Sequence, residues 1–299
     1  MKKYVKKIKE KPEQLLFDIL NTALLFLIFG ILVTFTQWIV QVFSGNILIN
    51  PLVSNLFGWQ IYWYGMFFSL AFFFGFFVVI KEGKKIDKNV DHIISILFWT
   101  IIFGFIGARF VFVALNWNFY QNNLSLIFNI WQGGLSLYGG IAGGFMFLAI
   151  YSEIKKIRLS QLLDIFTFAV LIGQAIGRWG NLFNQEYLGI PSDKIKIYIS
   201  PSNRPWEYRN QDFFHPLFLY ESVFCFLLFV VLLFLRKTNR IKEGFVFLYF
   251  LLLYSAFRFL IGFLSFEKII SGGFNLVQIF SIIIFAISIL MIIYKKIVK

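Results

Sequence analysis

Three arginines, Arg109, Arg178 and Arg258, stand in or against long apolar runs, where an ionised side chain costs several kcal/mol unless it is partnered or solvated. Each guanidinium carries five N–H donors in a planar fork that matches the oxygens of a phosphate or carboxylate. Taken singly, Arg109 and Arg258 read equally well as side chains snorkelling to lipid headgroups; with Arg178 at the same level, an anion site is the stronger reading. Few other polar groups share such surroundings. They are Tyr64, Tyr138, Asn181, Asn184, Glu186, His215, Glu221 and Tyr254. The run Gly133-Gly134-Leu135-Ser136-Leu137-Tyr138-Gly139-Gly140 offers backbone N–H groups, that of Gly139 among them, which an anion can approach closely. Plainer readings stand beside these. Tyr64 suits an aromatic belt, His215 an interfacial cap before Pro216, and Gly143 and Gly144 close helix packing. Asp164 receives no role.

The elements that must hold these groups follow from composition. Of 299 residues, 59% are hydrophobic, 21% aromatic and only 14% charged, which excludes a water-soluble domain. No charged side chain occurs from Ile19 to Ile80, and at about 20 residues per crossing that stretch alone holds two spans. The run from Ile19 to Phe43 is too long for a cleavable signal and lacks a small-x-small site, so it reads as a retained first span. Polar breaks then predict seven more spans, near 60–80, 93–115, 132–151, 161–178, 217–235, 245–264 and 273–294. The fold class expected is all-α, a polytopic integral membrane protein of about eight transmembrane helices.

Lysine and arginine set the expected topology, because short translocated loops avoid positive charge. Lys2, Lys3, Lys6, Lys7, Lys9 and Lys11 precede span one, and none occurs from Ser44 to Gln60. The alternation continues through Lys81 to Lys88, through Lys155, Lys156 and Arg158, and through Arg236 to Lys242, ending at Lys295, Lys296 and Lys299. Both termini are expected inside, with an external segment at about 179–216. This distribution accounts for the formal charge of +13 without nucleic acid. The lone Cys225 excludes a disulfide framework and a cysteine metal site, and with no P-loop or dinucleotide fingerprint no cofactor and no metal are expected. On this topology six spans deliver polar groups to one outer level. A conduction pathway carries them through the full depth, so a one-sided site is favoured over a channel.

The segment Gly177-Arg178-Trp179-Gly180-Asn181-Leu182-Phe183-Asn184-Gln185-Glu186-Tyr187-Leu188-Gly189 closely resembles the signature of the prolipoprotein diacylglyceryl transferases, bacterial inner-membrane enzymes that first lipidate lipoprotein precursors. The resemblance extends in order to Trp63-Tyr64-Gly65, Gly107-Ala108-Arg109, the run Gly133 to Gly140, His215-Pro216, Leu219-Tyr220-Glu221 and Tyr254 with Arg258-Phe259, covering about residues 58–294. Three departures stand out. Residues 1–57, a basic tail and one helix, look like an addition to a seven-helix core at 58–299. Gly262 and Ser265 replace a usual Glu and Arg, and Tyr138 stands where the family resembles either His or Tyr.

The resemblance implies transfer of the diacylglyceryl group from phosphatidylglycerol to a lipobox cysteine in a prolipoprotein signal peptide, with release of glycerol 1-phosphate. On that reading Arg178 and Arg258 stabilise the phosphate leaving group, and Tyr138 and Glu186 are candidates to take the thiol proton. Asn181 and Asn184 bind phosphate or glycerol oxygens, Tyr64 and Tyr254 hold the headgroup, and Glu221 orients an arginine; Arg109, Gly139, Gly189 and His215 complete the substrate set. Membrane lipids are then partners, the location is the bacterial cell membrane, and the site faces outward. The alternative is a transporter or flippase of an anionic lipid or phosphorylated metabolite; a purely structural subunit leaves the convergence of polar residues unexplained.

Overall fold

The computed structural model describes residues 29, 32–130, 133–267 and 269–297. The basic tail at 2–11 and the first part of the expected first span lie outside these residues. The chain divides into two compact units, one of residues 51–190 and 216–299, the other of the described residues before Pro51 together with 191–215.

The larger unit opens with a hairpin, β1 (Leu52–Leu56) and β2 (Trp59–Tyr62), joined by Phe57 and Gly58. Its helices are α2 (Trp63–Gly83), α3 (Val90–Leu115), the single turn α4 (Trp117–Tyr120), α5 (Leu137–Lys155), α6 (Leu159–Asn184), α7 (Leu217–Lys237), α8 (Val246–Gly262) and α9 (Leu276–Ile297), α1 being the apolar helix Leu32–Phe43 of the smaller unit. Among the described residues six helices are long and apolar enough to cross a membrane: α2, α3, α5, α6, α7 and α9. The 17-residue α8 is apolar and shorter. The chain is a multi-pass helical membrane protein.

Packing is pairwise: α2 lies on α6, α3 on α5, α7 on α6 and α9 on α8. Phe168, Leu171, Cys225, Leu228, Leu232, Val246 and Phe250 form a buried cluster between α6, α7 and α8, with Phe224 stacked on Phe257 at 4.1 Å. Cys225 is therefore a core side chain. The α3–α5 contact depends on glycine: a Cβ on Gly107 would stand 2.4 Å from the Gly139 carbonyl oxygen, and one on Gly139 2.3 Å from that of Gly107. Small residues let backbones meet at this distance. Gly107→Val is accordingly expected to separate the two helices and to lower the yield of folded, monodisperse protein in detergent by tenfold or more, as overpacking of a few kcal/mol implies.

Two differences from the sequence expectation bear on the site. The span expected to end near residue 178 continues as α6 to Asn184, closing on Gln185 in the left-handed conformation, with the Gln185 N–H donating to Leu182. Arg178, Asn181 and Asn184 thus recur every three residues along one helix face. Polarity misled the cut, because those side chains are held in position by the helix. Asp164, for which no role was expected, is fully buried and accepts from the N–H groups of Gly244 (2.5 Å) and Phe247 (2.9 Å). It satisfies donors at the start of α8 that the helix itself leaves unpaired.

The smaller unit pairs Ile197–Tyr198 (β3) with Phe213–Phe214 (β4). Arg204 ties its loop together, donating to Ile199 O at 2.9 Å and pairing with Asp212 at 2.7 Å. Gly45, just past α1, has φ +81° and lies against the Tyr198 ring, where a Cβ would come within 2.5 Å of Cγ.

Candidate active site

Glu221, in the first turn and a half of α7, is fully buried, and four side chains converge on it. Arg178 of α6 donates from Nη2 to Oε1 at 2.8 Å, and Arg258 of α8 donates from Nη1 to Oε2 at 3.0 Å. Tyr254, one turn before Arg258, donates its hydroxyl to Oε1 at 2.5 Å and lies 3.4 Å from the Gln174 amide. Tyr187 completes the group: its hydroxyl touches Arg258 Nη1, and its ring faces both guanidiniums, at 4.3 Å from that of Arg178 and 5.4 Å from that of Arg258. Three helices and the turn after α6 thus supply one buried cluster.

Charge decides what this cluster can do. Two guanidiniums against one carboxylate leave a net positive charge of about one in a largely desolvated place, which favours a second anion. Among the described residues Arg178 keeps a buried Nε without a partner, and Arg258 bonds Tyr187 and Glu221 from Nη1. Burial, reinforced by the Glu221 carboxylate, pushes the Tyr187 hydroxyl above the ordinary tyrosine pKa, so at neutral pH it is a donor. A small, partly open recess lies beside Arg258, lined also by Tyr187, Leu217, Ile261, Gly262 and Glu267.

The sequence named Arg178, Glu221, Tyr254 and Arg258, and the fold brings these four together. It did not single out Tyr187, which stood at an unassigned position of the Gly177–Gly189 segment. That side chain reaches Glu221 through local geometry: Gln185 and Tyr187 both have positive φ, and the Phe218 N–H donates to the Tyr187 carbonyl at 3.2 Å. Gly189 bridges Ser265, and the Ile190 N–H donates to Leu264 O at 2.8 Å, so the turn is tied to the end of α8. Asn181 is buried on α6, and Asn184 donates its amide to the exposed Glu186 at 3.2 Å. Tyr64 packs on Gly180, where a Cβ would come within 2.8 Å of its ring. His215 belongs to the smaller unit, and burial lowers its imidazole pKa, keeping it neutral at pH 7.

Three expected site residues are placed elsewhere. Arg109 holds no open fork: all five of its donors meet carbonyls, Nε at Ile127 (2.7 Å), Nη1 at Gly133 (3.0 Å) and Gly134 (2.9 Å), Nη2 at Leu126 (2.7 Å) and Asn129 (3.4 Å). It anchors the connection into α5. Gly139 sits in the helix crossing and gives its N–H to Ser136 Oγ at 3.3 Å, so that N–H does not face an anion. Tyr138 is 75% exposed at the start of α5 and is not among the partners of Glu221. Arg109→Lys is expected to free residues 124–130 and 133–134, since three donors cannot replace five; amide exchange there should rise about tenfold, in line with one or two lost charge-assisted hydrogen bonds.

Comparison with known proteins covers the same elements. A family model described as prolipoprotein diacylglyceryl transferase matches residues 51–294. A phosphatidylglycerol–prolipoprotein diacylglyceryl transferase of Listeria welshimeri is 33% identical over 253 residues, 83% of this chain and 90% of its own length. Those of Thermosynechococcus vestitus and Prochlorococcus marinus are 34% and 36% identical, each over 75% of this chain and over 85% and 84% of their own lengths. The match runs from β1 through α9 and so takes in every helix that contributes to the Glu221 cluster: this chain belongs to the prolipoprotein diacylglyceryl transferase family.

Proposed function

We propose that this chain transfers the diacylglyceryl group of phosphatidylglycerol to the cysteine thiol of a prolipoprotein lipobox, and that the Glu221 cluster is where the phosphate is held. One observation carries the reading: two guanidiniums from different helices share a single buried carboxylate and so retain a positive charge for an incoming phosphodiester. In the reaction the cysteine sulfur attacks the glyceryl carbon that bears the phosphate oxygen. A carbon–sulfur bond forms, the carbon–oxygen bond breaks with its electron pair staying on oxygen, and glycerol 1-phosphate leaves. Negative charge on the leaving phosphate grows as that bond breaks, so guanidinium donors bind the transition state more tightly than the diester.

Glu221 holds both forks in position before substrate arrives, which avoids reorganisation at the moment of reaction. Asn181 and Asn184, on the Arg178 face of α6, supply amides for glycerol or phosphate oxygens, and the Tyr254 hydroxyl, donating to Glu221, helps to fix the carboxylate between the arginines. The thiol, with an ordinary pKa near 8.5, ionises more readily in the positive field of the arginines, and the Glu186 carboxylate takes the proton. Arg109 serves by fixing the start of α5. The site faces outward with both termini inside, where the cysteine following a signal peptide's apolar segment emerges and where phosphatidylglycerol enters sideways from the surrounding lipid.

The test is incubation of purified protein with phosphatidylglycerol and a lipobox peptide. A diacylglyceryl mass gain on cysteine with stoichiometric glycerol phosphate is expected. Lipid binding or movement without either product would replace this reading with that of a carrier.

A further inference from the structure

We infer that Gln278 and Asn275, at the start of α9, are positioning residues for Arg258, and that Gly262 is a glycine to let them work. This rests on the phosphate-holding role of Arg258 proposed above. Asn275 and Gln278 cap α9 reciprocally: the Gln278 N–H donates to Asn275 Oδ1 at 2.9 Å, and the Asn275 N–H to Gln278 Oε1 at 3.0 Å. That is the capping-box arrangement, which satisfies two otherwise unpaired donors of the helix start. Both side chains are almost fully buried, although a surface cap would serve the helix equally well.

Their remaining donors reach across to α8. Gln278 Nε2 donates to Phe259 O at 3.2 Å, the carbonyl of the residue directly after Arg258. Asn275 Nδ2 donates to Gly262 O at 3.1 Å and to Ser265 Oγ at 3.2 Å, and Ser265 Oγ itself donates to Gly262 O at 3.0 Å. Carbonyls of the last turns of a helix have no partner within it, and an unanchored end frays. Here two of them are held by the neighbouring helix, within one turn of a guanidinium whose place must be kept to a fraction of an ångström. Gly262 makes the approach possible: a Cβ there would stand 2.5 Å from Gln278 Cγ and 3.0 Å from its Cδ. The ring of Phe274 packs on Phe259 (5.6 Å) and Phe263 (6.3 Å), adding an apolar contact to the joint. The arrangement makes the end of α8 one body with α9, so that Arg258 meets Glu221 from a rigid base.

The experiment compares Gln278→Ala, Gly262→Ala and the double variant of the full-length protein in detergent, measuring kcat and KM per folded molecule, thermal unfolding, and amide exchange across 259–265. Gln278→Ala is expected to lower kcat about ten- to a hundredfold, as displacement of a positioned group does, with KM for phosphatidylglycerol within about twofold and faster exchange at 259–265. Gly262→Ala should give the same pattern by pushing Gln278 aside, and should add nothing in the Gln278→Ala background, where the clash is gone. The proposal is overturned if kcat per folded molecule and exchange stay unchanged in Gln278→Ala, or if the two substitutions are additive. Were the wild type itself to yield no lipidated peptide, the transferase reading would fall, and the exchange pattern alone would still accept or reject the anchoring of α8 by Gln278.

Discussion

Arg178→Ala is expected to lower turnover of lipobox peptide by about a thousandfold while the protein still folds, because one preorganised donor to a developing anion is typically worth a factor of 10² to 10³ and this one also carries charge. Arg178 is anchored by a single hydrogen bond to Glu221 and stacks on Tyr187, and its buried Nε has no partner among the described residues. Its removal therefore breaks little of the fold. Arg178→Lys should recover only part of the loss, since an ammonium restores the charge without the planar fork. The measurement is kcat per folded molecule, by peptide mass and released glycerol phosphate. Full activity of Arg178→Ala would remove the phosphate-holding role from this cluster.

The second large effect belongs to Glu221. Glu221→Ala leaves two guanidiniums and two tyrosine hydroxyls facing an emptied, buried centre, and loss of one partner from a buried ionic group costs about 3–5 kcal/mol. A clear fall in the unfolding temperature in detergent is expected, together with loss of turnover. Glu221→Gln separates the contributions. It keeps the shape and one acceptor oxygen but removes the charge, so it should fold better than Glu221→Ala yet remain impaired, because the two arginines then repel each other with no anion between them until substrate binds. Equal stability of Glu221→Gln and the wild type would show that hydrogen bonding at Glu221, not its charge, holds the cluster.

The helices were legible because a bilayer imposes length and apolarity on each span, and α2, α3, α7 and α9 fall where their apolar runs do. Arg178, Glu221, Tyr254 and Arg258 were legible too, since charged or hydroxylic side chains in apolar surroundings are few. The family resemblance implied that Glu221 orients one arginine; that it takes both, with Tyr254 and Tyr187, was not legible. Glu221 lies 43 residues from Arg178 and 37 from Arg258, and no spacing rule reports a contact across three helices.

Arg109 shows the limit most clearly. By type and setting it matched Arg178, yet its five donors close on carbonyls 17 to 25 residues away. Whether a guanidinium is an anion site or an anchor depends on what stands opposite, and residue type carries no information about that. Gly139 repeats the lesson with backbone: only the approach of α3 distinguishes a helix crossing from an anion nest. Asp164 became a helix cap through donors 80 and 83 residues on.

Sequence by itself therefore determined a polytopic helical membrane protein, the family to which it belongs and the small set of polar groups available to it, because burial in lipid restricts composition residue by residue. Tertiary structure alone decided which arginines remain open to an anion, that Tyr187 joins Glu221, and that α9 supports α8 beside Arg258. Those outcomes are set by contacts between helices, whose energies depend on distances that one-dimensional order does not contain.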